Sequence, residues 1–424
     1  MASSNSAVPA VSPVPTVSLP DTLTDIPAAS SRTYAILEQA LAGRKLEYQD
    51  GVALIEAPDE DVPAIMAAAA FLRDKHKGRV ITYSRKVFIP LTNLCRDKCG
   101  YCTFAKAPRD PAAKTLTPDE VLAIARAGKA LGCKEALFSL GERPEEMHQL
   151  ARDHLRKLGY PSTIAYLKDM CELVLKETGL LPHANPGIMT PEELDSLWEV
   201  NASMGIMLES TSERLMEKGQ AHYGCPGKAP GLRLQTMRDA GDRKIAFTTG
   251  ILIGIGETRA ERVDSLLAIR DVYESHGNIQ EVIIQNFRVK PDIRFRHRDE
   301  PTLDDMLRTL SVGRLLLGGE MNLQAPPNLT PDDYGTYLGA GINDYGGISP
   351  VTRDHINPER AWPLIDELSE TCTQRGFVLR ERMALYPEYL KPELGYVRAG
   401  IAPIIENLAD AQGLVSEKAT WHKF

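Results

Sequence analysis

From Lys86 onward the chain alternates short apolar or β-branched runs with helical segments, and this rhythm limits the fold more than any other feature. Strand candidates are "KVFIPLT" from Lys86, then residues 135–141, 181–187, 203–210, 245–254, 279–287, 322–329 and 344–350. Helix starts fall between them. "TPDEVLAIARAGKALG" opens with Thr117 as N-cap, Pro118 at the first position and Glu120 three residues on, which is a capping box. "TPEELDSLWEV" repeats that chemistry at Thr190, Pro191 and Glu193. A βαβα rhythm over eight strand candidates predicts an α/β fold, a TIM-like (β/α) barrel of six core units extended towards eight. An open doubly wound sheet is the structural alternative.

The barrel is predicted over residues 86–352. Residues 32–85 carry apolar positions at helical spacing and predict a helical N-terminal extension, with Asp61 capping its second helix. Residues 353–424 predict a helical C-terminal extension. Residues 1–31 are rich in Ser, Ala, Pro and Val and predict a disordered tail. Residues 142–179 form a long link with two extra helices, a lid, a docking element or a surface decoration.

The net charge of -8 argues against nucleic acid or an anionic membrane as partner. No apolar stretch reaches the ~18 residues needed to span a bilayer. The tail lacks the charged and apolar regions of a secretory signal, so a cytoplasmic location is expected, with plastid targeting as the alternative. Seven cysteines in 424 residues do not suggest a disulfide framework. Cys133, Cys171, Cys225 and Cys372 are read as small buried hydrophobes.

The remaining three, Cys95, Cys99 and Cys102, follow the first strand candidate in "CRDKCGYC". Thiolates at this spacing converge when the backbone loops around a metal, which leaves zinc or an iron–sulfur cluster. Structural zinc wants four protein ligands, and no second pair accompanies this triad. A [4Fe–4S] cluster on three cysteines, with one iron open to a cofactor or substrate, fits better. The loop follows a strand, which places it at the C-terminal mouth of a barrel, where such enzymes do their chemistry.

A CxxxCxxC triad with an aromatic before the last cysteine resembles the radical S-adenosylmethionine (SAM) enzymes. The resemblance implies that Cys95, Cys99 and Cys102 hold the cluster and that its open iron chelates the amino and carboxylate groups of SAM. It implies cleavage to methionine and a 5′-deoxyadenosyl radical. Gly141 and Glu142 in "SLGERPE" match the motif that holds the SAM amino group, with Leu140 in place of its first glycine. "GILIGIGE" supplies Gly250, Leu252, Gly254 and Glu257 beside the adenine. Glu209 matches a ribose-binding carboxylate, and Tyr101 would meet adenine through its backbone and ring. Taken alone, Gly-Glu at a strand end is usually a turn, a glycine strand can be a packing device, and Glu209 could cap a helix.

Longer stretches, including "VITYSRKVFIPLTNLCRDKCGYCTF", "GLLPHANPGIMT" and "DYGGISPVTRDHINPERAWP", are similar to the 7,8-didemethyl-8-hydroxy-5-deazariboflavin (FO) synthase family, at its cyclising CofG-type subunit or domain. The similarity runs from about residue 82 to about residue 389. It implies a radical SAM lyase that cyclises 5-amino-5-(4-hydroxybenzyl)-6-(D-ribitylimino)-5,6-dihydrouracil to FO with release of ammonium. It also implies a CofH-type partner that supplies this adduct and a low-potential electron donor. Gln285, Asn286, Gln324, Asn328 and Asp344 sit in late strands, and His183 and Asn185 in the third. Amides match a pyrimidine edge, although each could equally cap a strand. A menaquinone-pathway (futalosine) or biotin-synthase-like radical enzyme is the alternative, and a zinc-stabilised binding module the alternative from another class.

Overall fold

The computed structural model describes residues 26–417. The expected tail, residues 1–31, therefore lies outside the described residues apart from its last few. Helices α1 (Ser31–Leu41), α2 (Tyr48–Ile55) and α3 (Val62–Lys77) precede the sheet. Asp61 stands at the N-cap of α3 but makes no side-chain cap bond. Its carboxylate instead accepts from Ser30 N at 2.8 Å and Thr33 Oγ1 at 2.7 Å, which ties α1 to α3.

Eight parallel strands follow: β1 (Val80–Thr92), β2 (Glu135–Leu140), β3 (Leu181–Asn185), β4 (Ser203–Gly205), β5 (Phe247–Ile253), β6 (Ile279–Asn286), β7 (Leu323–Gln324) and β8 (Asp344–Ile348). They pair in sequence order, and β1 pairs with both β2 and β8, so the sheet closes into a barrel. The connecting helices are α4 (Pro118–Ala130), α5 (Pro144–Met147), α6 (Gln149–Leu158), α7 (Thr163–Thr178), α8 (Pro191–Trp198), α9 (Pro230–Asp242), α10 (Arg259–His276) and α11 (Leu303–Leu317). The capping boxes expected at Thr117 and Thr190 are both formed. The extra helices of the long link are α5 and α6, while α7 is the crossover helix.

Period-2 alternation sorts β1 into two faces. Val87, Ile89 and Leu91 are fully buried against the helix layer. Each such side chain contributes about 1.5–3 kcal/mol. The layers approach closely at Gly128 of α4, where an added Cβ would lie 2.8 Å from Val87 Cβ.

Several bounds differ from expectation, and β4 and β7 end at Gly205 and Gln324, well short of the expected 203–210 and 322–329. β1 starts at Val80 rather than Lys86, and the C-terminal extension adds a strand, β9 (Val378–Glu381), to its helices α12 (Ile365–Gln374) and α13 (Ala402–Leu408). The reason is edge pairing. β2 covers one edge of β1 only from Lys86 upward, and β9 pairs with Val80–Tyr83 below it. The early residues of β1 would otherwise leave backbone groups unpaired.

The chain leaving β9 turns under the barrel and fills its lower end with paired charges. Arg382 lies 2.6 Å from Asp344 and 2.9 Å from Glu281, and Tyr386 donates to Glu281 at 2.7 Å. Lys86 lies 2.7 Å from Glu135. His183 Nδ1 is 2.7 Å from Ser203 Oγ, whose own hydrogen goes to Ala384 O at 2.8 Å. A hydroxyl has one hydrogen, so the His183 proton sits on Nδ1. Burial, reinforced by Lys86 and Arg382, pushes the His183 pKa down to about 4 despite Glu135. Burial would raise Glu135, but Lys86, His183 and Arg382 outweigh it and bring its pKa to about 2.

Candidate active site

The loop after β1 is folded against the start of the second βα connection. At Gly141 an added Cβ would lie 1.8 Å from Leu94 O and 2.8 Å from Cys95 Cβ, so only glycine lets the two loops touch. Arg96 N donates to Glu142 O at 3.0 Å, and Glu142 N points at Cys95 Sγ from 3.2 Å. On the other side Gly100 N donates to Ala221 O at 2.7 Å. The three thiols are free and half-buried. Burial, then Asp97, pushes the Cys95 thiol up to about 12. A hydrogen bond from the Cys225 thiol depresses the Cys99 pKa.

Among the described residues, no three His, Cys, Asp or Glu side chains are gathered as a ready metal site. The donor set nonetheless fits an iron–sulfur cluster. Three soft thiols share one short loop, a backbone amide is aimed at one sulfur, and a glycine cradle holds the loop.

Glu142 is clamped by two guanidinium groups, Arg96 at 2.6 Å and Arg233 at 3.4 Å. Added Cβ atoms at Gly187 and Gly227 would lie 2.1 Å and 2.2 Å from its carboxylate oxygens. Three glycines thus bring backbone close around the Glu142 turn.

Glu209 adopts a left-handed backbone, φ 65°, just beyond β4. Lys228 Nζ lies 2.7 Å from Oε1 and His222 Nε2 lies 3.1 Å from Oε2, with Tyr101 OH donating to the same oxygen. Burial would raise its pKa, but Lys228, His222 and Arg233 outweigh that and hold Glu209 well below the usual carboxylate range. The Tyr101 ring is buried and edge-on to His222, centroids 5.8 Å apart. Its hydroxyl therefore serves Glu209, a role that stacking alone did not foresee.

Gly250 gives β5 its close approach to β6, since an added Cβ would sit 2.0 Å from Ile283 O. Leu252 joins Tyr101, Ile255 and Phe295 in an apolar cluster beside Cys99 and Cys102. Gly254 has φ +92° and turns the chain out of β5. Glu257 closes the turn after β5. Its carboxylate accepts from Gly254 N at 2.7 Å and Ile255 N at 2.9 Å and pairs with Arg262 at 2.8 Å, so it fixes the turn.

The substrate candidates divide. Gln285 shares the interior face of β6 with Ile283, and Asn185 that of β3 with His183; both are half-buried. Gln324 lies over Gly346, where an added Cβ would meet its amide at 2.0 Å. Among the described residues no hydrogen bond occupies these three amides. The other four each have a side-chain partner within the fold. Asn286 Nδ2 donates to Thr330 at 3.4 Å and Asn328 Nδ2 to Asp354 at 3.0 Å, while the side-chain oxygen of each is buried without a partner among the described residues. His183, midway along β3, and Asp344, at the start of β8, take part in the charged plug.

The 142–179 link docks on the cysteine loop, where His148 Nε2 donates to Cys95 O at 2.8 Å. Arg143 donates to Ile188 O at 3.1 Å and pairs with Glu193, so it holds the link. The segment after β8 crosses the mouth. Trp362 stacks on the interior Phe88 at 5.3 Å, and Thr103 donates to Ile356 O at 2.8 Å. His222, Cys225, Lys228 and Arg233 were not anticipated, and Cys225 is more than core filler. The first three lie between β4 and α9 and Arg233 in the first turn of α9, in "HYGCPGKAPGLR", where clustered Gly and Pro beside lone basic residues are the visible signal.

A closed parallel barrel with a cysteine triad on the loop after its first strand defines a radical SAM enzyme, and residues 89–269 match the Radical SAM superfamily. The barrel resembles the hydrogenase maturase HydG, with a TM-score of 0.69 at 18% identity over 83% of this chain and 77% of that one. The chain is 48% identical over 334 residues to the 7,8-didemethyl-8-hydroxy-5-deazariboflavin synthase of Methanopyrus kandleri, covering 79% of this chain and 99% of that protein. It belongs to that family. It is also 48% identical over 405 residues to the FO synthase of Streptomyces avermitilis, covering 93% of this chain but 47% of that protein. The chain thus spans about half the length of the FO synthases it matches. Among the described residues no helix is long and apolar enough to cross a membrane.

Proposed function

We propose that the barrel mouth cyclises 5-amino-5-(4-hydroxybenzyl)-6-(D-ribitylimino)-5,6-dihydrouracil to FO, with release of ammonium and conversion of one SAM to methionine and 5′-deoxyadenosine. The observation that carries this is the 48% identity spanning 99% of the Methanopyrus kandleri synthase. The half-length match to FO synthase supports a CofH-type partner as the source of the adduct. Seven thiols free of disulfides suit a reducing, cytoplasmic compartment.

Cys95, Cys99 and Cys102 would hold a [4Fe–4S] cluster, which when bound supplies the electron that cleaves SAM. The chain's own groups prepare the site. The Gly141 cradle and the Glu142 turn offer close-set backbone to the SAM ammonium. Glu209, kept ionised by Lys228 and His222, offers a carboxylate to ribose hydroxyls. Leu252 and its apolar neighbours would exclude water beside adenine. Gln285, Asn185 and Gln324 would read the uracil edge and the ribityl chain, with Phe88 and Trp362 walling the phenol side.

The test is anaerobic reconstitution with SAM, reductant and the adduct. Fluorescent FO is expected. Formation of 5′-deoxyadenosine without FO would contradict the substrate assignment, and consumption of a futalosine-type substrate would replace it.

A further inference from the structure

The chain is acidic overall, with a net charge of -8, yet residues 288–298, "RVKPDIRFRHR", hold five Arg or Lys against one Asp. Arg288 is taken by Glu300, Lys290 is buried, and Arg298 covers the Phe295 ring at 4.3 Å. Arg294, Arg296 and His297 stay exposed, as does Lys98 next to them. Among the described residues no carboxylate pairs with any of these four.

This basic surface is built onto the cysteine loop. Phe295 N donates to Gly100 O at 3.1 Å, and the Arg294 guanidinium donates to Lys98 O. Lys98 and Gly100 flank Cys99 in sequence. At Gly100 an added Cβ would lie 2.8 Å from Phe295 Cε1, and Phe295 packs in the apolar cluster that Cys99 and Cys102 border. The patch is thus the outer face of the wall whose inner face carries Cys99.

We propose that Lys98, Arg294, Arg296 and His297 form the docking surface for an acidic, low-potential one-electron carrier protein. The inference rests on the radical SAM reading, which needs an electron from outside the chain. One electron leaves the carrier's reduced flavin or iron–sulfur centre, which is oxidised by one electron, and the cysteine-bound cluster is reduced by one. No bond or proton moves. Opposite charge steers such encounters and sets their salt dependence. The short covalent step from Lys98 to Cys99 gives the arriving electron its route.

The probe is a bacterial flavodoxin, and the readouts are its Kd by titration and its support of SAM cleavage. Arg296→Glu changes a side chain with no partner among the described residues, and Arg294→Glu with Arg296→Glu enlarges the effect. Flavodoxin binding is expected to weaken about 10-fold in the double variant, with a flatter salt dependence. Flavodoxin-driven SAM cleavage should fall in step, while titanium(III)-driven cleavage stays at the wild-type level. Arg296→Gln is expected to show a smaller loss in the same direction. Flavodoxin binding and reduction unchanged in both Glu variants would overturn the docking assignment. Absence of titanium-driven cleavage in the wild-type protein would instead strike the radical SAM reading, with the binding measurement still reporting on the patch.

Discussion

At the lower end of the barrel the charges meet partners. Lys86 sits on Glu135, and Arg382 bridges Asp344 and Glu281. Higher in the same barrel the interior amides of Gln285, Asn185 and Gln324, the last starting opposite Asp344 and reaching up to Gly346, have no hydrogen-bond partner among the described residues, and three thiols stand free. Buried charges are stable only when paired, so the lower network is a sealed floor. Unpaired amides are tolerable only where water or a ligand can reach them, so the mouth is the binding end. The glycines agree with this division. Gly141, Gly187 and Gly227 crowd backbone around Glu142 at the mouth, where a site has to be shaped.

Replacing any of Cys95, Cys99 or Cys102 with Ala should cut 5′-deoxyadenosine formation by at least about 10^3-fold, some 4 kcal/mol, with the thermal unfolding midpoint little changed. Arg382→Met should do the reverse. It leaves Asp344 and Glu281 without their cation and should lower unfolding free energy by about 3–5 kcal/mol in denaturant titration. If that variant lost SAM cleavage at unchanged stability, the floor would belong to the chemistry and the contrast would break.

The same floor should make stability depend on pH. His183 is neutral in the fold, with a pKa of about 4 against an ordinary 6.5. The unfolded chain therefore binds the extra proton as pH falls from about 6.5 to about 4, and stability falls with it. The slope is at most about 1.4 kcal/mol per pH unit. Glu135 adds a loss at lower pH, from its ordinary 4.5 down to about 2, because its ionised form is the paired one. His183→Gln should flatten the upper part of a denaturation series across this range.

Glu209→Gln should weaken SAM binding by about 1–3 kcal/mol, read as Kd by equilibrium dialysis, because the paired carboxylate is lost while its shape is kept. Gln285→Ala should have the smallest effect. A KM for the adduct raised about fivefold, near 1 kcal/mol, is expected with SAM cleavage retained. A matching loss of SAM cleavage would move Gln285 from substrate to cofactor.

Much of this contrast was legible in the sequence because it follows from local pattern. The capping boxes at Thr117 and Thr190, the strand rhythm and the cysteine triad all depend on neighbours in the chain. What failed depends on partners far away. His183 and Asp344 have residue types suited to a site, but their height in the strand decides which end of the barrel they serve. That height is set by register with Ser203 and Thr82. β9 was hidden because "VLRE" is too short to announce a strand, and only the open lower edge of β1 calls for one. Lys228 and His222 lie in an irregular loop, where no period marks them. Glu257 matched a pattern yet serves a turn, since a carboxylate near two exposed loop amides is drawn to them first.

The most direct measurement is Mössbauer spectroscopy of anaerobically reconstituted protein, with enriched iron, before and after SAM. A cluster held by the mouth triad predicts one iron site whose parameters shift on adding SAM while the others stay, and loss of that spectrum in Cys99→Ala. A spectrum indifferent to SAM, or intact in Cys99→Ala, would contradict the account.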